Sequence, residues 1–440
     1  MTQSFLAIES EWLSADGVTS PELAATWCRL TLKVDHRVVT RVEDLRANTT
    51  RNSIFCSAYP LAEWIATHWW ALRSHVRAAG VLDHLPNRIN FPADSGTDGT
   101  DSHNTRAAGD GFLWPRLLIV PEGGRTLLAW TADESPQAGL LRFVTEGRAW
   151  GAPAEVQASL ANLVTAVIDR LHEVGVKDTL LEEEWRAILA ADDDEASFCD
   201  VAAALGLDPY DIDQAMAQNI ESLGPALGRD LVVELAAAAD PQRLREDLDW
   251  VTHGLKSISH KPGPARGLLA KLRALHLHED ESGPPWEIGW RQANTVRKAL
   301  RVADTDPIAF GGVFEHRHSA SGDRALQALA SGVSGRIEIV LGTQSGVAGQ
   351  RFVDGRALWR GLHTRDRPYL LTTTTTFEQR VERAFAAELL APAAGIARLI
   401  DSRSGVALAI DVERAARRFK VSPVVVGHQL ENQLGVAIAG

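Results

Sequence analysis

The stretch RFVDGRALWRGL, residues 351–362, decides how the last third of this 440-residue chain is interpreted. Phe352, Arg356 and Arg360 follow one another at intervals of four residues, so in a helix they share one face. An arginine side chain stays protonated and offers no lone pair, so neither Arg356 nor Arg360 is able to bind a metal ion. The stretch predicts a helix over residues 351–363 that carries two arginines one turn apart.

The same stretch resembles the zinc helix of a peptidase, which has the form F-x-x-A-H-E-L-G-H. In such a helix two histidines one turn apart bind zinc, and the glutamate beside the first activates the bound water. Here Arg356-Ala357-Leu358-Trp359-Arg360 stands in place of His-Glu-Leu-Gly-His. The frame of the helix is similar, but the two histidines and the glutamate are replaced.

Three more segments resemble parts of the ImmA/IrrE family of metallopeptidases, in the order that the family has them. They are residues 286–300, similar to the opening helix; residues 382–392, ERAFAAELLAP, similar to E-A-N-x-F-A-A-E-L-L-M-P; and residues 416–435, similar to the closing L-A-x-x-F-x-V-S-x-x-x-V-x-x-R-L-x-x-L-G. The resemblance covers only the last third of the chain. It implies a zincin-like fold for that third.

The third zinc ligand of the family also has no match at its expected place. In active members it is a glutamate four residues before the phenylalanine of F-A-A-E-L-L, and counting back from Phe385 gives Val381. Glu382 is the next residue, which on a helix is expected to point roughly 100° away. The resemblance implies a fold kept without its chemistry and without a cofactor, with degenerate zinc-site positions at Arg356, Ala357, Arg360 and Val381.

The two arginines are also candidates for what replaces the metal. We expect Arg356 and Arg360 to pair with Glu382 or Glu388 of the next helix and to hold the two helices together. A buried pair of this kind helps to specify the packing more than it adds stability.

Composition places the chain among ordinary globular proteins, with 45% apolar and 23% charged residues. The net charge is −12, which does not favour attraction to nucleic acid through the overall field. Three cysteines without paired spacing, Cys28, Cys56 and Cys199, indicate a reducing compartment. There is no signal-peptide pattern and no apolar stretch of about 20 residues, so we expect a cytoplasmic chain with no membrane partner.

The pattern along the chain predicts an α+β, multidomain protein. The predicted divisions are a mixed α/β domain at 1–150, a helical domain at 151–258, a linker at 259–284 and the ImmA/IrrE-like domain at 285–440. In the first, alternation predicts a strand at 26–34, and the Pro-Glu-Gly-Gly turn predicts a hairpin between 112–120 and 125–132. Between these strands, apolar spacing predicts a helix at 59–76, and the composition of 93–111 indicates a loop.

Two short segments, 198–216 and 415–430, have the order of residues typical of a helix-turn-helix. The second helix of each offers few side chains for reading bases or phosphates, so packed helix pairs are the favoured interpretation. The weak DNA-binding candidates, which all lie near the C-terminal segment, are Arg417, Arg418, Lys420, His428 and Gln429.

Histidines give an alternative metal site. His316 and His318 form a His-x-His pair whose side chains share a face of a strand, and His363 follows the predicted zinc helix. Without convergent cysteine or carboxylate ligands, these three are weak candidates.

The favoured function is therefore a non-catalytic ImmA/IrrE-like protein that acts through binding an unidentified protein, in a regulatory role. Placement in a bacterial defence or mobile-element module rests on family analogy alone. The alternatives are a DNA-binding transcriptional regulator, with nucleic acid as a less favoured partner, and a zinc metallopeptidase with non-standard ligands. The sequence leaves the oligomeric state open.

Overall fold

The computed structural model describes residues 4–74, 101–136, 140–259, 261, 263–265, 267–277, 283–319, 325–342, 346–364, 367–400 and 405–439. These residues form an α+β protein with several small antiparallel or mixed sheets. The described chain divides into two compact units, the first ending at Asp211 and the second beginning at Ile212. That division falls inside the predicted 151–258 segment, and the predicted boundaries at 150, 258 and 284 stay predictions.

The first unit combines short antiparallel sheets with helices. Its elements, in chain order, are β1 Leu6–Trp12, α1 Pro21–Ala25, β2 Trp27–Val34, β3 Arg37–Val38, β4 Val42–Asp44, β5 Thr49–Arg51, β6 Ile54–Ser57, α2 Tyr59–Thr67, β7 Arg116–Pro121, β8 Thr126–Thr131, β9 Leu141–Phe143, β10 Gly147–Gly151, α3 Pro153–Glu173, α4 Leu180–Ala190 and α5 Asp193–Ala204. Strand β2 pairs with β1, β3 and β6; the other sheets have the orders β10-β8-β7 and β5-β4-β9.

The predicted strand at 26–34 is confirmed as β2, because alternate side chains from Cys28 to Val34 fill the core. The predicted hairpin is confirmed as β7–β8, although its first strand begins at Arg116 and not at 112. The predicted helix at 59–76 is shorter and ends at Thr67. Trp69, beyond its end, is buried edge-on against Trp185 with ring centroids 4.9 Å apart. Of the predicted loop at 93–111, residues 93–100 lie outside the described chain.

The second unit has one mixed sheet with helices around it. Its elements are α6 Gln214–Leu227, α7 Arg229–Ala238, α8 Leu244–Ser257, α9 Gly267–Arg273, α10 Pro285–Leu300, β11 Phe314–His318, β12 Leu326–Ser331, β13 Ile337–Leu341, α11 Val347–His363, β14 Pro368–Thr372, α12 Phe377–Leu390, α13 Ala393–Leu399, β15 Val406–Leu408, α14 Ala409–Phe419, α15 Pro423–Leu434 and β16 Ala437–Ala439. The sheet order is β11-β13-β12-β14, with β11 parallel to β13 and the other pairs antiparallel. Strands β15 and β16 form a parallel pair.

The first predicted helix-turn-helix, at 198–216, is wrong because no short turn joins its two helices. Helix α5 ends at Ala204, and α6 begins only at Gln214. The side chain of Asp208 accepts a hydrogen bond from the Tyr210 amide at 3.0 Å, and that of Asp213 caps α6 through the Met216 amide at 2.8 Å. Aspartate side chains thus satisfy the backbone donors in a longer connection.

Two glycines allow helices of the second unit to pack backbone to backbone. A Cβ at Gly289 of α10 would lie 2.5 Å from the Val381 carbonyl oxygen of α12. A Cβ at Gly355 of α11 would lie 3.0 Å from Cβ of Ala386, also on α12. Helix α12 is therefore held between α10 and α11 at a distance that larger side chains do not permit.

Gly289→Ala is expected to lower the free energy of unfolding by about 1–3 kcal/mol, because the added methyl meets backbone atoms that are unable to move aside. The matched control is Gly224→Ala in α6, where a Cβ meets nothing within 4 Å. There alanine is expected to be neutral or stabilising by up to about 1 kcal/mol, from helix propensity. Urea unfolding of both variants measures the difference; equal effects would contradict the close packing.

Candidate functional site: a buried arginine–glutamate network

Helix α11 contains the 351–362 stretch and is buried over most of its length. All side chains from Val353 to Leu362 are buried, including the charged ones. Arg356 is 1% exposed and Arg360 is 4% exposed. Burying a guanidinium group is costly unless it is paired and hydrogen-bonded, so the partners of these two arginines define the site.

Arg356 is fully occupied by acceptors from three elements. Its Nε donates to Oε1 of Glu382 on α12 at 2.9 Å, and its Nη2 contacts the same oxygen. Nη2 also donates to the Thr372 carbonyl at the end of β14, at 2.8 Å, and Nη1 donates to the Gln327 side chain on β12. The group ties helix α12 to two neighbouring strands of the sheet.

Three carboxylates surround the guanidinium group of Arg360. Its guanidinium pairs with Glu234 of α7 and Glu378 of α12, and its Nε lies 3.6 Å from Oε2 of Glu382. Burial by itself lowers the pKa of Arg360, but the charges of Glu234, Glu382 and Glu378 outweigh burial and raise it above its usual value. Arg360 is therefore a permanent cation at the centre of the cluster.

These contacts bear on two predictions: the direction in which Glu382 points, and the choice between Glu382 and Glu388 as the partner of the two arginines. Glu382 points towards α11, since its carboxylate is 0% exposed and contacts both arginines. The Val381 carbonyl lies on the side of α12 that packs against Gly289 of α10. Glu382 is therefore in contact with both Arg356 and Arg360, and Val381 stays the third position only as the sequence resemblance counts it. The register counted from Phe385 misses Glu382 because it fixes the spacing along α12 and not how α12 is rotated against α11.

The expected alternative partner, Glu388, lies elsewhere. It follows Glu382 by six residues, so on a helix the two side chains point roughly 120° apart. Its Oε2 accepts hydrogen bonds from the Ala393 amide at 3.1 Å and from the side chains of Gln429 and Gln433 at 2.6 and 2.8 Å. Glu388 therefore joins α12 to α13 and α15 and does not take the place of a ligand.

The network also covers the outer edge of strand β14. The Leu370 amide, which points away from β12, donates to Oε2 of Glu234 at 2.6 Å. The Thr372 carbonyl accepts from Arg356 at 2.8 Å and from Arg383 at 3.0 Å. Pro368, at the start of the strand, has no amide hydrogen. An extended peptide that added to this edge would need these same backbone groups, so the side chains close the edge to strand addition.

Charge is balanced within the cluster. Three cations, Arg356, Arg360 and Arg383, are matched by three carboxylates, Glu234, Glu378 and Glu382. Arg367, 3.8 Å from Glu234, has its own partner in Asp230. Burial, and then the like charge of Arg356, lower the pKa of Arg383 to about 9. Burial raises the pKa of Glu234, although the charge of Arg360 opposes it. The arrangement neutralises itself and does not present a concentrated charge of one sign.

The residues present do not fit a zinc ion. Two of the three positions on facing helices carry guanidinium groups without a lone pair, and the third, Glu382, already accepts from Arg356. At the place where the sequence resemblance would put a catalytic glutamate the chain has Ala357, whose carbonyl accepts the Tyr369 hydroxyl at 2.7 Å. The described part of the chain contains no group of three or more His, Cys, Asp or Glu able to hold a metal.

The weak histidine candidates are placed apart from this cluster. Nε2 of His316 contacts Asp354 of α11 at 2.7 Å, and His318 is exposed further along β11. His363 stacks on Trp359 with ring centroids 4.1 Å apart, and its Nδ1 lies 2.8 Å from the Trp359 carbonyl. His316 and His363 contact residues of α11, whereas His318 does not join them at a common point.

Most DNA-binding candidates have partners within the chain. Arg417 pairs with Glu413 at 3.4 Å, and Arg418 pairs with Asp306 at 2.8 Å. The weak candidate Gln429 is 2% exposed and donates to Glu388, so its side chain faces α12 and not solvent. Lys420 and His428 are exposed.

Glu388 gives a pH-dependent prediction. Burial raises the pKa of its carboxyl, while hydrogen bonds from Ala393, Gln433 and Gln429 oppose the change. The folded state therefore holds a proton that the unfolded state releases above about pH 4.3, so the wild-type chain loses stability relative to Glu388→Gln as the pH rises through that window. Chemical unfolding of both proteins from pH 4 to pH 7 measures the difference in their free energies of unfolding. A difference that does not change with pH, or that changes in the opposite direction, would contradict the buried placement of Glu388.

Sequence reasoning gives no role to Arg383 and misses four further members of the network: Glu234, Glu378, Tyr369 and Gln327. Glu378 carries a weak signal, since it lies one helical turn before Glu382 and shares its face. The other three come from separate elements, and nothing in local spacing connects them with α11.

No family model, no curated protein and no solved structure matches this chain. Among the described residues, no helix is both long enough and apolar enough to span a membrane.

Proposed function

We propose that this chain is a non-catalytic ImmA/IrrE-like protein that acts by binding a protein partner. The observation that carries the proposal is the position of Arg356, Arg360 and Glu382. Arg356 and Arg360 stand where the sequence resemblance puts the two histidine ligands, Glu382 follows the expected third position, Val381, by one residue, and the three side chains are joined to one another within the core.

Two further features support binding without peptide hydrolysis. The alanine at 357 offers no group to activate water. The edge of β14 beside the cluster is covered through Glu234, which removes the surface on which a peptide would extend the sheet. A fold that keeps its packing, has no water-activating side chain at 357 and has the edge of β14 covered is suited to recognition by its outer surface.

The test is affinity capture from the native host with the full-length chain as bait, followed by reconstitution of the captured protein with the purified chain. We expect a complex that survives gel filtration and holds its partner at full length. Sequencing of new N-termini in a host lysate incubated with the purified chain is the companion measurement. New N-termini that form with the chain and disappear with a metal chelator would overturn the proposal and favour the metallopeptidase alternative.

A further inference from the structure

Two of the three cysteines lie directly opposite each other in the first unit. In the antiparallel pairing of β2 with β6, Cys28 is the register partner of Cys56. Directly opposed residues point to the same face of a sheet. Their positions 28 residues apart in the sequence carry no motif, so only strand pairing brings the two thiols together.

The distance between the strands at this point suits a disulfide. Ala58 donates to the Thr26 carbonyl at 2.9 Å, which makes Thr26 and Ala58 a hydrogen-bonded pair of the ladder. Cys28 and Cys56 are two residues further along, so they form the next hydrogen-bonded pair, with Cα atoms about 5.5 Å apart. Disulfides most often join Cα atoms separated by about 5.5–6 Å.

Their surroundings shield the thiols. Cys28 is 0% exposed and Cys56 is 1% exposed, both within the core of the first unit. The hydrogen bond between the Cys56 thiol and Cys28, together with burial, raises the pKa of Cys56 well above its usual value. Thiolate is therefore scarce, so oxidation is slow and the pair stays reduced unless a strong or sustained oxidant is present.

We propose that Cys28 and Cys56 are a reversible oxidation site, at which a hydroperoxide converts the two thiols into a disulfide joining β2 to β6. The first sulfur attacks a peroxide oxygen and becomes a sulfenic acid as the O–O bond breaks, with release of water from hydrogen peroxide or of the alcohol from an organic hydroperoxide. The second thiol displaces water from that sulfenic acid, which forms the S–S bond. For hydrogen peroxide the balance is two thiols oxidised by two electrons and one peroxide reduced to two waters. A dithiol reductant reverses the step by exchange.

The disulfide closes a loop that contains β3, β4 and β5. Cross-linking of this kind restricts the unfolded chain, so the oxidised protein is expected to resist unfolding better than the reduced one. The side chains next to the pair are already fixed, since Thr26 and Ser57 hydroxyls share a hydrogen bond of 2.8 Å. Oxidation therefore locks an existing pairing and does not require the strands to move apart.

The test treats the full-length folded chain with hydrogen peroxide, blocks remaining thiols with iodoacetamide after unfolding, and maps peptides by mass spectrometry. We expect one alkylated cysteine, Cys199, and a linked Cys28–Cys56 peptide that dithiothreitol releases, together with a rise in the unfolding temperature. Cys199→Ser is expected to behave identically, and Cys56→Ser to form no linked peptide.

Three alkylated cysteines after prolonged oxidation would overturn the proposal, and so would a linkage that includes Cys199. Because the mapping uses the wild-type chain, a variant that fails to fold does not affect the outcome. Cys199 serves as an internal reference, since burial also raises its pKa, to about 11.

Discussion

Replacing Arg356 with methionine is expected to lower the free energy of unfolding by about 3–5 kcal/mol. The side chain is 1% exposed, and its main partner, Glu382, is 0% exposed. Methionine keeps much of the volume but removes the hydrogen bonds to the buried carboxylate, whose other oxygen lies 3.6 Å from Arg360. The Thr372 carbonyl also loses a donor. Urea unfolding at pH 7 measures the change.

The control for this variant is Arg417→Met on α14. Arg417 also pairs with a glutamate, Glu413, at 3.4 Å, but both side chains are more than half exposed. Removing an exposed pair costs at most about 1 kcal/mol. Removing both buried partners, in Arg356→Met with Glu382→Leu, is expected to recover much of the loss, because no uncompensated charge remains. If Arg356→Met costs no more than the control, the buried pair does not hold the helices together.

Replacing Glu234 with alanine is expected to lower the free energy of unfolding by about 1.5–3 kcal/mol. Its carboxylate pairs with Arg360 and accepts the Leu370 amide at 2.6 Å. Alanine leaves that amide without its acceptor and opens one position on the edge of β14. Because open edges pair with other strands, the variant is also expected to self-associate more at high concentration.

Asp230→Ala provides the matched control, since Asp230 lies one turn earlier on the same helix. Its pair with Arg367 spans 3.1 Å, but the aspartate side chain is 60% exposed. We expect a loss below about 1 kcal/mol and no change in self-association. Light scattering and urea unfolding on the two variants decide the matter; equal losses would mean that Glu234 is only a surface charge.

Local patterns predict the elements of this fold well where one face is buried. The four-residue spacing within 351–362 predicts a helix over 351–363, which lies within the observed α11, and the alternation at 26–34 locates β2. These predictions succeed because helix and strand periodicity are set by neighbours in the chain. The residue of α12 that contacts the arginines of α11 lies one position after the one counted from Phe385. The rotation of α12 against α11 is set by close packing at Gly289 and Gly355, which a count along the sequence does not include.

The members of the site that escape prediction come from distant parts of the chain. Glu234 belongs to α7, far before α11 in sequence, and Leu370 contributes only its backbone. The opposition of Cys28 and Cys56 likewise depends on strand pairing that no spacing rule reveals. The sequence resemblance indicates which residues stand at the expected ligand positions, but tertiary packing decides which carboxylates pair with them.

The zinc content of two full-length proteins tests the central claim most directly. Wild-type chain and an Arg356→His, Arg360→His variant are equilibrated with excess zinc, dialysed and analysed by mass spectrometry for metal. Because Glu382 faces both positions, two histidines would complete a His₂Glu ligand set. The variant is expected to retain about one zinc ion per chain, and the wild type far less than one. Wild-type protein that retains a full equivalent of zinc would contradict the account.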